Sequence, residues 1–355
     1  MMIPMMKVRR AEWVPIVNVL FVLGVVAVCM WMNTSIGSVN AAITTQRTGL
    51  VRKYYKIHET CPAAEQYVRH EVEIFYKNDS TITPKLLRLL YSDCFVTGCD
   101  ASILLDGTES EKTASQNVGL GGFIVIDKIK EVLEARCPGV VSCADILNLA
   151  TRDAVHLAGG PSYPLLLGRR DGFGSSAATV DLPSPSISWQ TSLAYFKSKG
   201  LDVLDMTTLL GAHTMGRTHC HYILDRLYNY KGSGKADPSM DKTFLAEMKK
   251  KCPPKTGKGQ HDPLVFLNPD SQYSFSDSYY SRVLNNLSVL EVDQQLKYGN
   301  DTEAITEDYN VSLLDFKLTF TLSMNRMGSI GVLTGKNGEI RRHCRYTNAN
   351  NPNGK

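Results

Sequence analysis

The sequence predicts a mainly α-helical domain, and three observations carry that prediction. Apolar residues recur three and four apart in one stretch after another. Glycine and proline punctuate those stretches at short intervals. Nowhere is apolar–polar alternation sustained long enough to specify a strand. The 355 residues suffice for one large core or two lobes sharing one. With 39 basic and 35 acidic residues the net charge is +4. No Lys/Arg block with interleaved aromatics occurs, which argues against nucleic acid as a partner. A hydrophobic fraction of 43% is that of a globular protein. No internal repeat or long low-complexity segment is evident.

The N-terminus reads as an address. Lys7, Arg9 and Arg10 precede an apolar run from Val14 to about Met32, and small residues follow at Ser38, Ala41 and Ala42. That order is expected of a secretory signal peptide over residues 1–42, cut near Ala41 or Ala42. The run approaches the ~20 residues that span a bilayer, so a retained signal anchor is the alternative. Either way the body, 43–355, faces the secretory lumen or the outside.

Residues 43–60 read as an extended lead-in. Pro62 is expected to open a helix carrying Tyr67, Val68, Val72 and Phe75. A second helix runs through the apolar start of 84–106, and a Gly/Ser/Thr-rich loop covers 107–122. A third helix is expected from Phe123 to Ala135, stopped by Cys137-Pro138-Gly139. Ser142 can cap a fourth, Cys143–Leu157, which Gly159-Gly160-Pro161 ends. Residues 161–187 read as loop with short extended pieces. Helices are expected at Trp189–Lys199, Val203–Met215, His219–Tyr228 and Lys242–Lys251, the last after a polar connector at 231–240. Residues 253–276 read as loop, followed by helices at 277–288 and 311–327. The last helix, with Leu314, Phe316, Leu318, Phe320 and Met324, is too apolar to be exposed all round and is expected to be central.

Of nine cysteines, Cys29 lies in the apolar run. The remaining eight, in a secreted chain, imply disulfides, with about 105 possible pairings. A zinc site is the alternative, because His219, His221 and His343 adjoin cysteines. No paired CxxC spacing supports it. Sequons at Asn78, Asn286, Asn300 and Asn310 are candidate glycosylation sites.

Chemistry concentrates in residues 84–106, PKLLRLLYSDCFVTGCDASILLD. Arg88 and Ser92 share a helix face. Asp93, Asp100 and Ser102, with the carbonyls of Val96 and Gly98, offer oxygens to a hard cation. This stretch resembles the motif LLRLHFHDCFVxGCDASxLL of the plant secretory (class III) haem peroxidases. The segment GAHTMGRTHC is similar to that family's proximal-histidine signature GAHTxGxxxC. Val292-Asp293-Gln294-Gln295-Leu296 is similar to its (S)DQxL motif. The resemblance runs from about Tyr54 to Asn348.

It implies the haem peroxidase fold: two helical lobes around a b-type haem, the distal lobe about 50–185 plus the C-terminal segment, the proximal lobe about 186–325. It implies the disulfides Cys61–Cys137, Cys94–Cys99, Cys143–Cys344 and Cys220–Cys252. It implies His213 as axial iron ligand, Asp293 as the acceptor of its second N–H, and Arg88 as distal electrostatic stabiliser. Tyr91 stands beside the haem in place of the family's Phe. Asn117 matches the asparagine that orients the distal base, and Pro183 the proline at the aromatic-substrate entrance. A distal calcium site is implied at Asp93, Val96, Gly98, Asp100 and Ser102. A proximal one is implied at Thr214, Asn268, Ser271 and Ser276, degraded because both carboxylates of the family's set are missing.

The departure that matters is Ser92, which stands where the family has its catalytic histidine. Peroxide cleavage needs one proton removed from one oxygen and delivered to the other, a task for a group titrating near neutrality. A serine hydroxyl is not such a base. Leu90 is likewise apolar where the family often has His. The expected function is a secreted haem peroxidase, extracellular or in the cell wall. It would oxidise phenolic or similar small donors with hydrogen peroxide at reduced efficiency. The alternatives are a haem-binding homologue with little turnover and a haem-free extracellular scaffold. Expected partners are hydrogen peroxide and small aromatic donors, with no nucleic acid, no membrane after signal cleavage, and a monomeric state.

Overall fold

The computed structural model describes residues 49–254 and 262–352. The expected signal segment lies outside them. The described residues belong to one compact unit and are mainly helical. A short strand β1 (Val51–Arg52) leads into the one-turn helix α1 (Tyr54–Ile57). The longer helices α2 (Ala64–Asn78), α3 (Ile82–Cys94), α4 (Phe123–Arg136) and α5 (Cys143–Leu157) follow. β2 (Leu166–Leu167) pairs antiparallel with β1, Val51 opposite Leu167. Next come α6 (Trp189–Ser198), α7 (Val203–Leu210), β3 (Arg217–His219), α8 (Leu224–Tyr228) and α9 (Lys242–Lys251). β4 (Leu264–Phe266) pairs antiparallel with β3, His219 opposite Leu264. The chain finishes with α10 (Ser278–Leu284), α11 (Glu291–Gln294), α12 (Asn300–Val311) and α13 (Leu313–Met327).

α5 forms the axis of the N-terminal half. α2, α3 and α4 all pack on it, and it is buried from Cys143 through Val155. Ser142 caps it, its Oγ accepting from the Asp145 N–H at 3.1 Å. Burying Asp145 would be costly without compensation. Its carboxylate is paired with the buried Arg169 at 2.8 Å and accepts the Tyr55 hydroxyl at 2.7 Å. The larger hydrophobic core runs from Tyr55 to Cys344, and a smaller one gathers Cys220, Ile223, Leu227, Phe244, Met248, Cys252 and Val265.

The four disulfides pair as expected: Cys61–Cys137, Cys94–Cys99, Cys143–Cys344 and Cys220–Cys252. Several boundaries move. The first long helix begins at Ala64, with Pro62 in the turn before it. The helix expected over Val203–Met215 ends at Leu210, and residues Gly211–Thr214 tighten into a 3-10 turn. His219 closes a strand rather than opening a helix, because its backbone is paired with Leu264. The helix expected at 277–288 is shorter, and α11 and α12 are additional. The last helix is central on one face only. Phe316, Phe320, Met324 and Met327 are buried, while Leu314, Leu318 and Leu322 lie on an exposed stripe, each more than half accessible. Among the described residues no helix is long and apolar enough to cross a membrane.

Candidate active site

His213 sits in the 3-10 turn that follows α7. The turn is pressed against the core: a side chain at Gly211 would come within 2.3 Å of the Tyr280 hydroxyl and 2.7 Å of the Phe316 ring. This fixes the backbone that carries the imidazole. His213 Nδ1 lies 2.8 Å from Asp293 Oδ1, and the Tyr279 hydroxyl donates to the same oxygen at 2.9 Å. Asp293 comes from α11 and is buried, whereas the His213 side chain is one-third exposed. Burial alone would lower the imidazole's pKa, but the Asp293 carboxylate outweighs it and the net shift is upward.

Arg88, Tyr91 and Ser92 come from the C-terminal half of α3. Arg88 is exposed and donates to the carbonyls of Gln116 and Val118 at 3.1 and 3.4 Å. No carboxylate pairs with it among the described residues. Its charge is felt at His213, where it opposes protonation. Ser92 and Leu90 are each 1% exposed. Tyr91 packs its ring 4.6 Å from that of Phe95, and burial, with the Asp181 charge, raises its pKa. Asn117 donates Nδ2 to the Glu111 carbonyl at 2.8 Å, and its Oδ1 is buried without a hydrogen-bond partner. Pro183 is half-buried in the loop before α6. That loop is tied to α11 by the bond from Val292 N–H to the Pro185 carbonyl, 2.9 Å, next to Asp293.

The loop after α3 gathers acidic groups. Asp93 is fully buried, its carboxylate accepting the Ala101 N–H at 3.0 Å and the Ile103 N–H at 3.4 Å. The Asp100 carboxylate accepts the Ser102 N–H at 3.0 Å. Gly98 adopts φ +123°, and a side chain there would strike the Gly331 carbonyl at 2.6 Å, so only glycine fits where the loop meets the C-terminal segment. Burial raises the pKa of Asp93, and the neighbouring charges of Asp100 and Glu111 raise it further. Glu111 is fully buried, both carboxylate oxygens lack a hydrogen-bond partner, and burial pushes its pKa up to about 7.

The second expected cation set is also brought together, but it closes on itself. The Thr214 hydroxyl donates to the Ser276 carbonyl at 2.8 Å and lies 3.2 Å from the Ser271 hydroxyl. Asn268 donates Nδ2 to Thr214 Oγ1 at 3.4 Å and to Ser278 Oγ at 2.8 Å. Asp270 turns away to Arg282, 3.3 Å distant.

The peroxidase family's sequence profile matches residues 68–312. The chain belongs to the peroxidase family. It is 67% identical to probable peroxidase 26 of Arabidopsis thaliana over 297 residues, 83% of this chain and 89% of the relative. It is 66% identical to probable peroxidase 61 of the same plant over 303 residues, 85% of this chain and 89% of that relative. The lignin-forming anionic peroxidase of Nicotiana tabacum shares 42% identity over 297 residues, 81% of this chain and 90% of the relative. These matches place it among the class III plant peroxidases and classify it as a peroxidase.

Membership implies a b-type haem and calcium sites, and the residues of this peroxidase fit the haem and the first of the two cation sets. An imidazole whose Nδ1 faces a buried carboxylate, with Nε2 free of protein partners among the described residues, is the donor set of a haem's axial position. Three crowded carboxylates, one with no partner for either oxygen, match a cation that binds oxygen ligands only. The sequence reading missed two residues that the structure adds. Glu111 joins the acidic loop from outside the 84–106 motif, and its only signal was an acidic residue in EKTASQN. Tyr279 is the second donor to Asp293, and no spacing rule announces it.

Proposed function

We propose that this peroxidase holds haem through His213 and oxidises small aromatic donors with hydrogen peroxide, but that its distal side lacks a proton-transferring base. The observation that carries this reading is the state of two side chains, Ser92 and Asn117. A buried serine occupies the expected base position, and the asparagine expected to orient that base keeps a buried carbonyl oxygen with nothing to accept from. Bound haem would supply the redox centre at which peroxide is reduced and the donor oxidised.

The remaining work falls to the chain. The carboxylate of Asp293 holds the His213 ring by its Nδ1 and increases the basicity of the other nitrogen. Among the described residues Arg88 is unpaired by any carboxylate, so its positive charge stays available to stabilise negative charge developing on the departing oxygen. The Tyr91 hydroxyl, kept protonated by its raised pKa, and the Ser92 hydroxyl are able to hold water on the distal side. Neither is a base at neutral pH. The aromatic-donor class rests on family membership and on Pro183 at the expected entrance. The tobacco relative's description as lignin-forming agrees with it. The Asp93–Asp100–Glu111 cluster would hold one calcium, and the Thr214–Asn268–Ser271–Ser276 pocket none. Four disulfides suit an oxidising, extracytoplasmic compartment, so we place the mature protein outside the cell or in its wall, acting as a monomer. A haem protein with negligible turnover is the competing reading, and the Ser92–Asn117 observation is compatible with it.

The test is the pH dependence of peroxide reaction in the haem-loaded protein, followed at the Soret band. Without a base, the rate should climb steadily with pH as the hydroperoxide anion becomes available. A rate that levels off near the pKa of an imidazole, ~6.5, would refute the missing-base reading. Haem loss in His213→Ala, with the four disulfides intact, would support the ligand assignment. A retained Soret band with no phenol oxidation at any pH would favour the competing reading.

A further inference from the structure

A second cluster of ligating side chains lies outside the residues assigned above. His219 closes β3 and His221 follows in the next turn. Between them Cys220 is tied to Cys252 by a disulfide, and its N–H bonds to the Pro263 carbonyl at 2.9 Å. The strand pairing of β3 with β4 and this disulfide hold the segment on both sides. The two imidazole rings lie 5.8 Å apart, 27° from parallel. Asp262 comes from the irregular segment two residues before β4. Its Oδ1 accepts the His221 N–H at 3.1 Å. Its Oδ2 is 3.5 Å from His219 Nδ1 and in hydrogen-bond contact with His221 Nδ1. The three donor atoms all lie within 4.8 Å of one another.

We propose that His219, His221 and Asp262 form a binding site for a divalent transition-metal ion, of which zinc is the representative. One imidazole would satisfy an ion pair with Asp262, and a half-exposed pair of that kind contributes little. Here both imidazoles bring the same nitrogen, Nδ1, to Asp262, His221 to the carboxylate and His219 between the carboxylate at 3.5 Å and the residue's own carbonyl at 3.3 Å, and backbone pairing fixes β3 beside them. Zinc binds imidazole nitrogen at ~2.0–2.1 Å and carboxylate oxygen at ~2.0–2.2 Å. Tetrahedral donors then stand about 3.3–3.5 Å apart, close to the His219–Asp262 separation, and His221 would draw back from the carboxylate to admit the ion. The other carboxylate oxygen is already held by the His221 N–H, which orients Oδ2. Both imidazoles are 40% exposed, leaving room for water at the remaining position. Two nitrogens and one carboxylate select zinc, copper or nickel over calcium, which takes oxygen ligands. The donors are not cysteines: all eight cysteines of the described residues are in disulfides.

The experiment is a zinc titration of the haem-loaded, chelator-treated protein, with calcium in excess to saturate the oxygen sites. Isothermal calorimetry should show one zinc per chain. His221→Gln and Asp262→Asn should each weaken it at least tenfold, with an unchanged Soret band reporting intact folding. Zinc should also shift the ring-proton resonances of both His219 and His221 in the unmutated protein. Failure to saturate at ~100 µM zinc, affinity unchanged in both variants, or resonance shifts confined to other histidines would overturn the proposal.

Discussion

Restoring an imidazole at position 92 is the sharpest perturbation of the proposed distal site. Ser92 is 1% exposed, so Ser92→His introduces a larger side chain into packed surroundings. Overpacking of that kind costs about 1–3 kcal/mol. Part of the cost is offset locally. Asn117 Oδ1 is buried and unpaired, a condition that costs about 1–3 kcal/mol. An imidazole N–H reaching it would remove that penalty and hold the ring as a base needs to be held. Net stability should therefore change by no more than about 2 kcal/mol. The rate should change far more, since a positioned acid–base group contributes about 10²–10⁴-fold. The assay is stopped-flow reaction of the haem-loaded protein with peroxide, paired with steady-state phenol oxidation. Ser92→His should raise the peroxide step by at least two orders of magnitude and give it a plateau near neutral pH. Adding Asn117→Ala should remove much of the gain while leaving the haem spectrum in place. A Ser92→His protein that binds haem normally but reacts with peroxide no faster would refute the reasoning, because another group or an ordered water would then already perform the transfer.

Three further outcomes are expected. Asp293→Asn removes the negative charge facing His213 Nδ1, so haem should stay bound while its reduction potential moves to more positive values in a spectroelectrochemical titration. Atomic emission on the purified protein should find one calcium per chain, and Glu111→Gln should lower the thermal stabilisation that calcium gives, since ligand charge sets affinity at such sites. Asp237 is the acid-stability test: burial favours its neutral form, but hydrogen bonds from Ser239 and the Arg226 guanidinium outweigh burial and hold its pKa below the ordinary value. A carboxyl depressed by folding adds stability above its unfolded pKa, ~3.9, and that stability is lost as pH falls through the folded value. Asp237→Asn should thus be destabilised at pH 7 by about 3 kcal/mol, the scale for breaking a buried pair. In denaturant melts its deficit should shrink only below about pH 4.

What could be read in the chain beforehand follows the range of the interactions involved. α5 was legible almost to the residue because its cap, Ser142, and its stop, Gly159-Gly160-Pro161, are local. The expected site residues came from short contiguous motifs, and the structure brings His213 to Asp293 across 80 positions. β3 was not legible. Three residues cannot display an alternation, and what makes Arg217–His219 a strand is its partner Leu264–Phe266, 45 positions along between His219 and Leu264. α13 misled for a related reason: its apolar residues fill two faces, and the pattern does not say that only the Phe316–Phe320–Met324 face meets α7 and the core.

The same distinction governs the two polar clusters that the sequence did not assemble. Glu111 reaches the acidic loop from a turn outside its motif, and Asp262 reaches His219 and His221 from the segment just before β4. In each case a carboxylate acquires its meaning from a backbone pairing or a loop closure elsewhere in the chain. For Asp262 that pairing also supplies the argument for a metal: the strand register and the Cys220–Cys252 bridge fix where the backbone lies, so the convergence of both Nδ1 atoms on this residue does not depend on free side chains finding one another. A site held together only by mobile side chains would pay ordering entropy on binding. Here the backbone share of that cost is met during folding, which is why the His221 and Asp262 variants should lose affinity for zinc without loosening the fold.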